Sequence, residues 1–254
     1  MRISDAAPVS VGKVTKSNRL FMTLAAGALA VFAASCQKDN VTPGSTELID
    51  GNTTGVVVSP GSSASFTSFK TFGTLSLNTS GVYSVANFLQ GTINNSGNPP
   101  HTANSTYYYS FELNDGVGIA DSADLQFSGT ANADVTVLGS GATLEYAAAS
   151  FDNVVSGAAT PTWTAIASRK IGFNRTDTTN FAINTTTPGW YNYNIRRHVA
   201  LPLIENGSAL TLRVTTKNAD VYYVELQDVY SNRTPNAYIT PSNYPYLHFR
   251  YKAQ

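Results

Sequence analysis

From Ser65 to its C-terminal end, the chain is built of short runs in which apolar and polar residues alternate, separated by turn residues. Alternation with a period of two puts every second side chain on one face, the pattern of a half-buried strand. Only residues 147–155 favour a short helix. The pattern predicts an all-β domain over residues 65–254, with antiparallel sheets forming a sandwich or an open barrel-like stack.

The clearest predicted strand pair is a long hairpin near the C-terminal end. Residues 210–214 form its first strand, residues 217–220 its turn and residues 221–229 its second strand. In the final predicted strand, residues 246–251, His248 falls on the face opposite to the apolar residues. Further strands are predicted over residues 74–77, 82–89, 107–113, 125–129, 135–138 and 144–148.

The N-terminal segment has the three parts of a secretory signal. Residues 1–19 carry four bases against one acid, residues 20–35 form an uncharged apolar run, and small residues stand directly before Cys36. The apolar run is shorter than the roughly 20 residues that a membrane-spanning helix needs. Residues 1–35 are therefore predicted to be a signal peptide rather than a transmembrane anchor.

Cys36 is the only Cys in the 254 residues, and Ala33-Ala34-Ser35 precede it. Small residues before a single Cys resemble the lipobox of bacterial lipoproteins, which predicts lipid attachment at Cys36 and an outer-membrane location. The following segment, residues 37–40, resembles the polar tag that sends lipoproteins to the cell surface in Bacteroidota. A single Cys also excludes disulfides and Cys-based metal sites.

Residues 36–64 are rich in Pro, Gly, Ser and Thr, and we interpret them as a flexible tether. Residues 1–35 hold four of the sixteen bases and one of the sixteen acids, which leaves twelve bases and fifteen acids after cleavage. A chain with this balance has no basic patch of the kind that nucleic acid binding requires. We therefore expect no nucleic acid partner.

One segment, residues 188–198, concentrates aromatic, basic and His side chains. Flat apolar faces beside cations and a His suit haem, whose iron takes a His nitrogen and whose propionates pair with Arg. On the physics of the residues alone, the alternative is favoured: the aromatics are core residues of a strand and the His lies at the surface. The candidate haem-binding residues here are Trp190, Tyr191, Tyr193, Arg196, Arg197 and His198.

Several distinct sequence blocks follow one another along the C-terminal part of the chain. They are residues 108–111, 121–130, 189–193 followed by His198-Val199, the hairpin 212–230 and the final run 246–251. From about residue 107 onward the chain resembles the HmuY-like haem-binding lipoproteins of Bacteroidota. It departs from their pattern at Ala123, where that family usually has a Trp.

The resemblance implies an all-β protein that captures haem at the cell surface without enzymatic activity and passes it to an outer-membrane receptor. Such proteins hold iron with pairs of His or Met, and His198 falls where the family has its His. Both Met residues lie in the predicted signal, so a pair of His ligands would need His198 with either His101 or His248. We favour His248, because a strand is rigid whereas His101 lies in the loop 91–106, whose ordering costs entropy.

Two other function classes stay open. A surface carbohydrate-binding or adhesion lipoprotein would stack sugars on exposed Trp and Tyr rings. A glycoside-cleaving enzyme needs two carboxylates facing each other roughly 5–10 Å apart, and the sequence offers no such pair. We interpret the acids nearest to one another, Glu112, Asp115, Asp121 and Asp124, as solvated residues around a turn.

Overall fold

The structure is a computed structural model that describes residues 54–68, 70–91, 101 and 105–254. The predicted signal peptide, Cys36 and residues 37–53 lie outside the described residues. Within the described ranges, no helix is long and apolar enough to cross a membrane.

The described residues form fifteen strands and one short α-helix. In chain order the strands are β1 (Ser62–Ser65), β2 (Thr71–Leu77), β3 (Tyr83–Gln90), β4 (Tyr107–Ser110), β5 (Asp115–Gly116), β6 (Leu125–Ser128), β7 (Asp134–Val137), β8 (Thr143–Ala147), β9 (Thr164–Ala165), β10 (Lys170–Arg175), β11 (Gly189–Asn194), β12 (Val199–Pro202), β13 (Thr211–Thr215), β14 (Val221–Asp228) and β15 (Leu247–Ala253). The helix α1 spans Phe151–Val155, and 3-10 turns span Ala120–Ser122, Thr130–Asn132, Ile204–Asn206 and Ser231–Arg233.

These strands belong to two sheets. The first has the order β1-β2-β3-β15-β14-β13-β8-β9, and the second has the order β12-β11-β10-β7-β6-β4-β5. The predicted all-β class is confirmed. The predicted hairpin is confirmed as β13 and β14, which pair antiparallel with Leu212 opposite Val224. The predicted short helix is α1, whose N-terminus is capped by the Ser150 hydroxyl accepting from the backbone N–H of Asn153.

One strand pair departs from the expected antiparallel arrangement. β10 and β11 run parallel, and Gly172 stands opposite Gly189 in their register. Gly189 is required there, because a Cβ on it would lie 2.3 Å from the backbone nitrogen of Asn174. Alternation of apolar and polar residues gives the face of a strand but not its direction, so the sequence pattern could not reveal this pair.

The folded domain begins before residue 65, the residue at which the sequence pattern predicts it to start. Val56 and Val58 are buried, and the backbone N–H of Val56 donates to the carbonyl of Leu113 at 2.8 Å. β1 then pairs with β2 from Ser62 onward. The prediction that residues 54–64 belong to a tether is therefore wrong. Two Val side chains in a Pro- and Gly-rich segment are enough to attach it to the core.

An aromatic core fills the space between the sheets. Phe249, on a strand of the first sheet, packs edge-on against Tyr109 of the second, with ring centroids 5.1 Å apart. Phe88 packs edge-on against the same Tyr109 at 5.6 Å. The Tyr109 hydroxyl is 2.8 Å from that of Tyr251, which donates to the Asn114 amide oxygen. The buried phenols of Tyr109 and Tyr251 therefore have hydrogen-bond partners. Each aromatic pair adds about 0.5–1.5 kcal/mol beyond its buried area.

Candidate functional site

The candidate site lies at the turn that joins β11 to β12. Two backbone N–H groups of this turn, those of Arg196 and Arg197, donate to the side-chain oxygen of Asn194 at 3.1 Å. His198 ends the turn with a positive φ of 55°, a conformation in which His is found more often than most residues. Val199 then pairs with Asn194. The local sequence thus fixes the position of the His198 backbone at the end of the turn.

The hydroxyl of Tyr193 brings two His residues together. It lies 3.2 Å from Nδ1 of His198 and 3.2 Å from Nδ1 of His101. The two imidazole rings are nearly parallel, at 14°, with centroids 5.7 Å apart. Tyr244 stacks on the His101 ring at 4.5 Å. We refer to His101, Tyr193, His198 and Tyr244 as the Tyr193 cluster.

His101 is held firmly although it comes from the predicted loop. Only 1% of its surface is exposed, and its carbonyl accepts from the backbone N–H of Ala131 at 2.6 Å. It too has a positive φ, of 72°. Two non-Gly residues in this conformation meet at one hydroxyl, and such strained positions are enriched at functional sites.

Protons in the cluster are constrained by its geometry. Burial raises the pKa of Tyr193 to about 12, with a further contribution from Tyr244, so the Tyr193 phenol keeps its proton at neutral pH. One phenol proton can be donated to only one ring nitrogen. The other nitrogen must therefore carry a proton and donate it to the Tyr193 oxygen. His101 and His198 consequently differ in the protonation of Nδ1.

A groove of about 700 Å³ lies beside the same turn. The guanidinium of Arg197 sits 3.7 Å from the centroid of the Tyr238 ring, and Tyr238 is 67% exposed. The volume is within the range of roughly 300–1,000 Å³ that small-molecule sites occupy. Apolar and amide side chains also line the groove, among them Phe181, Leu201, Asn206 and Asn236.

The groove and the Tyr193 cluster lie on opposite faces of the β11–β12 hairpin. Tyr193 is paired with Ala200, whereas Asn194 is paired with Val199. Cross-strand partners share a face, and successive residues alternate between faces. Because Asn194 and Val199 line the groove, Tyr193 faces away from it. Arg197 and His198 are adjacent in the turn and thus connect the two faces.

Trp190 and Tyr191 are core residues of a strand, which is the alternative to haem binding that the sequence left open for this segment. Each is 2% exposed. The indole Nε1 of Trp190 donates to the carbonyl of Ala133 at 2.7 Å. Both rings are enclosed by the core, so neither has an exposed face. Arg196 is exposed, so among the predicted residues the hairpin leaves Tyr193, Arg196, Arg197 and His198 outside the core.

His248, predicted as the second iron ligand, is engaged elsewhere. Its Nε2 lies 3.0 Å from the backbone carbonyl of Tyr230, and its side chain is 5% exposed. Burial, with a smaller contribution from Arg233, lowers the pKa of His248 to about 4. His248 is therefore a neutral hydrogen-bond donor at neutral pH. The imidazole that meets His198 is that of His101.

Two of the acids interpreted as solvated are buried. Asp115 accepts hydrogen bonds from the backbone N–H groups of Thr67 and Ser68, at 3.1 and 3.0 Å. Asp124 accepts from the backbone N–H of Phe111 at 2.7 Å. Burial raises the pKa of both carboxyls. The interpretation as solvated turn acids is wrong for these two, since they hold neighbouring backbone segments in place.

Within the described residues, no three side chains of the types His, Cys, Asp and Glu converge as a metal site would require. The Tyr193 cluster combines two imidazoles with a phenol, and Tyr is not one of these four residue types. Comparisons of the chain with family models, with curated proteins and with solved structures gave no significant match.

Proposed function

We propose that this protein is a non-enzymatic lipoprotein of the outer membrane, exposed at the cell surface, that binds haem for uptake. One observation carries the proposal: the Tyr193 hydroxyl is within hydrogen-bond distance of both His198, in the turn, and a second His, His101. Imidazole and phenol are both donors that haem iron takes from proteins. An outer-membrane receptor would receive the haem.

The residues fit haem in part. His198 is half-buried, and Arg197 beside it carries a charge that a propionate can pair with. His101 is the second iron donor that this arrangement favours, in place of His248. A porphyrin between the two imidazoles needs the Tyr193 hydroxyl to be displaced and the two rings to open around it, because that hydroxyl contacts Nδ1 of both. His198 and His101 would hold the iron, and a bound haem would supply an absorption spectrum that reports which side chains hold it.

Titration of haemin into the purified protein tests the proposal. We expect a shifted Soret band in the wild type and a low-spin spectrum that is lost in His198→Ala. His101→Ala and His248→Gln then identify the second ligand: loss in the first alone supports His101, and loss in the second alone supports His248. The Gln side chain keeps an N–H donor for Tyr230. A wild type that leaves the haemin spectrum unchanged rules the proposal out.

A second candidate function is carbohydrate binding or adhesion through the groove. Its support is the exposed ring of Tyr238, next to the amides of Asn206 and Asn236. Sugars stack on aromatic faces while amides bond their hydroxyl groups. Affinity electrophoresis in gels containing soluble glycans tests it, with Tyr238→Ala as the variant. Tyr223→Ala is the matched control, because Tyr223 lies on the first sheet and stacks on Trp163.

A further inference from the structure

Three donor atoms converge at the Tyr193 cluster in a way that matches the shell of a bare metal ion. Tyr193 Oη is 3.2 Å from Nδ1 of His101 and 3.2 Å from Nδ1 of His198. In a tetrahedral site with metal–nitrogen bonds of about 2.0–2.1 Å, neighbouring donors are about 3.3 Å apart. The two oxygen–nitrogen distances in the cluster therefore already match the donor–donor distances of a tetrahedral metal site.

Each donor is held by a different part of the fold. Tyr193 lies on β11, opposite the small side chain of Ala200. His198 is fixed by the conformation of the turn, and His101 by its hydrogen bond to Ala131 and its stacking on Tyr244. Donors that are fixed before a ligand arrives lose little entropy on binding it. The cluster is thus arranged for binding in its closed form, without the ring separation that a porphyrin demands.

We propose that Nδ1 of His101, Nδ1 of His198 and Oη of Tyr193 bind one divalent transition-metal ion of the copper and zinc type. Imidazole nitrogen suits both ions, and Cu²⁺ is the stronger binder at a given set of nitrogen and oxygen donors. Each donor must offer a lone pair. The two ring protons therefore reside on Nε2, and the phenol proton is released to solvent when the metal–oxygen bond forms.

This inference goes beyond haem binding, since it concerns an ion without a porphyrin. The two ligands share His198, so a bound ion and haem would exclude each other. Their tests are nonetheless separate, because a titration with CuCl₂ contains no haemin. Failure of haem binding leaves the metal inference standing, and failure of metal binding leaves the haem proposal standing.

The test is a titration of the untagged full chain with CuCl₂, followed by calorimetry and by visible absorption. A Cys36→Ser background removes the only thiol, and His101, His198 and His248 are the only imidazoles. We expect one ion per chain and a visible charge-transfer band from the bound phenolate. His101→Gln and His198→Gln should each weaken binding by more than about 100-fold, since even loss of an outer partner of a ligand costs 10–100-fold.

Tyr193→Phe keeps the ring and removes only the oxygen. It should abolish the charge-transfer band while the two imidazoles still bind Cu²⁺ more weakly. His248→Gln is the matched control and should leave affinity and band unchanged, because His248 bonds to Tyr230 instead. Circular dichroism of each variant verifies that it is folded. Absence of binding in the wild type, binding that survives both cluster His substitutions, or equal loss in His248→Gln would overturn the proposal.

Discussion

Nδ1 of His198 lies 3.2 Å from the hydroxyl oxygen of Tyr193, five positions earlier in the chain. The same oxygen reaches His101, which is 92 positions away from Tyr193. One atom therefore links the hairpin β11–β12 to the segment that carries His101. Removal of this oxygen should therefore loosen both the β11–β12 hairpin and the segment that carries His101.

Replacement of Tyr193 by Phe removes this atom and keeps the ring. We expect the free energy of unfolding to fall by about 1–2 kcal/mol, because two hydrogen bonds are lost in a half-buried site. Urea denaturation measures the change. Tyr238→Phe is the control, since its ring is 67% exposed and surface substitutions change stability by about 0.5 kcal/mol or less. Equal effects in the two variants would contradict the bridging role.

The neutral state of His248 should make stability depend on pH. Because burial lowers the pKa of His248 from 6.5 to about 4, the unfolded chain binds more protons than the native protein between these values. The stability that the neutral imidazole contributes is present above pH 6.5 and is lost as pH falls towards 4. The shift corresponds to about 3 kcal/mol.

Comparison of the wild type with His248→Gln isolates this effect. Burial raises the pKa of the neighbouring Asp228 to about 6 and opposes the His248 effect, but this contribution is common to both proteins. The stability difference between wild type and variant should therefore shrink on going from pH 7 to pH 4. Chemical denaturation at several pH values measures it, and a difference that is constant with pH would show that His248 titrates normally.

Trp190 should matter for stability and not for ligand binding. Trp190→Phe loses the hydrogen bond to Ala133 and leaves a void, which should cost about 2–3 kcal/mol. Haemin and Cu²⁺ affinities of the folded variant should equal those of the wild type. Trp163→Phe, at a half-exposed Trp, should cost less. Weakened haemin binding with unchanged stability would instead show that Trp190 contacts the ligand.

Lipid attachment is predicted to depend on Cys36 alone. Cys36→Ala should abolish incorporation of labelled palmitate and should leave the chain retained or missorted. The prediction rests on the single Cys behind small residues. Labelled wild type is the control, and palmitate on the variant would refute the assignment.

Much of the fold could be predicted from alternation alone. The predicted strand 125–129 is β6, and the predicted hairpin is β13 and β14. Burial of Phe249 and its alternate neighbours in β15 follows the predicted face. These features are local, since the same few residues that make the pattern also form the strand.

The partner of His198 could not be predicted in this way. His101 and His198 both adopt positive φ outside any strand, so neither has a periodic pattern that assigns it a face. Their meeting depends on the strand order of the second sheet, in which the parallel pair β10 and β11 connects the β11–β12 hairpin to β7 and β6. The sequence favours His248 because it lies in a predicted strand and strands are rigid. His101 lies outside any strand, but it is buried and its backbone carbonyl accepts a hydrogen bond from Ala131.

The position of β12 at one end of its sheet has a consequence for motion. In the described part of the chain, β12 pairs only with β11 within its sheet. Local opening of such an edge hairpin costs less free energy than global unfolding. His198 directly precedes this strand. The ring separation that haem demands can therefore arise from fraying of one edge, while the aromatic interior between the sheets remains closed.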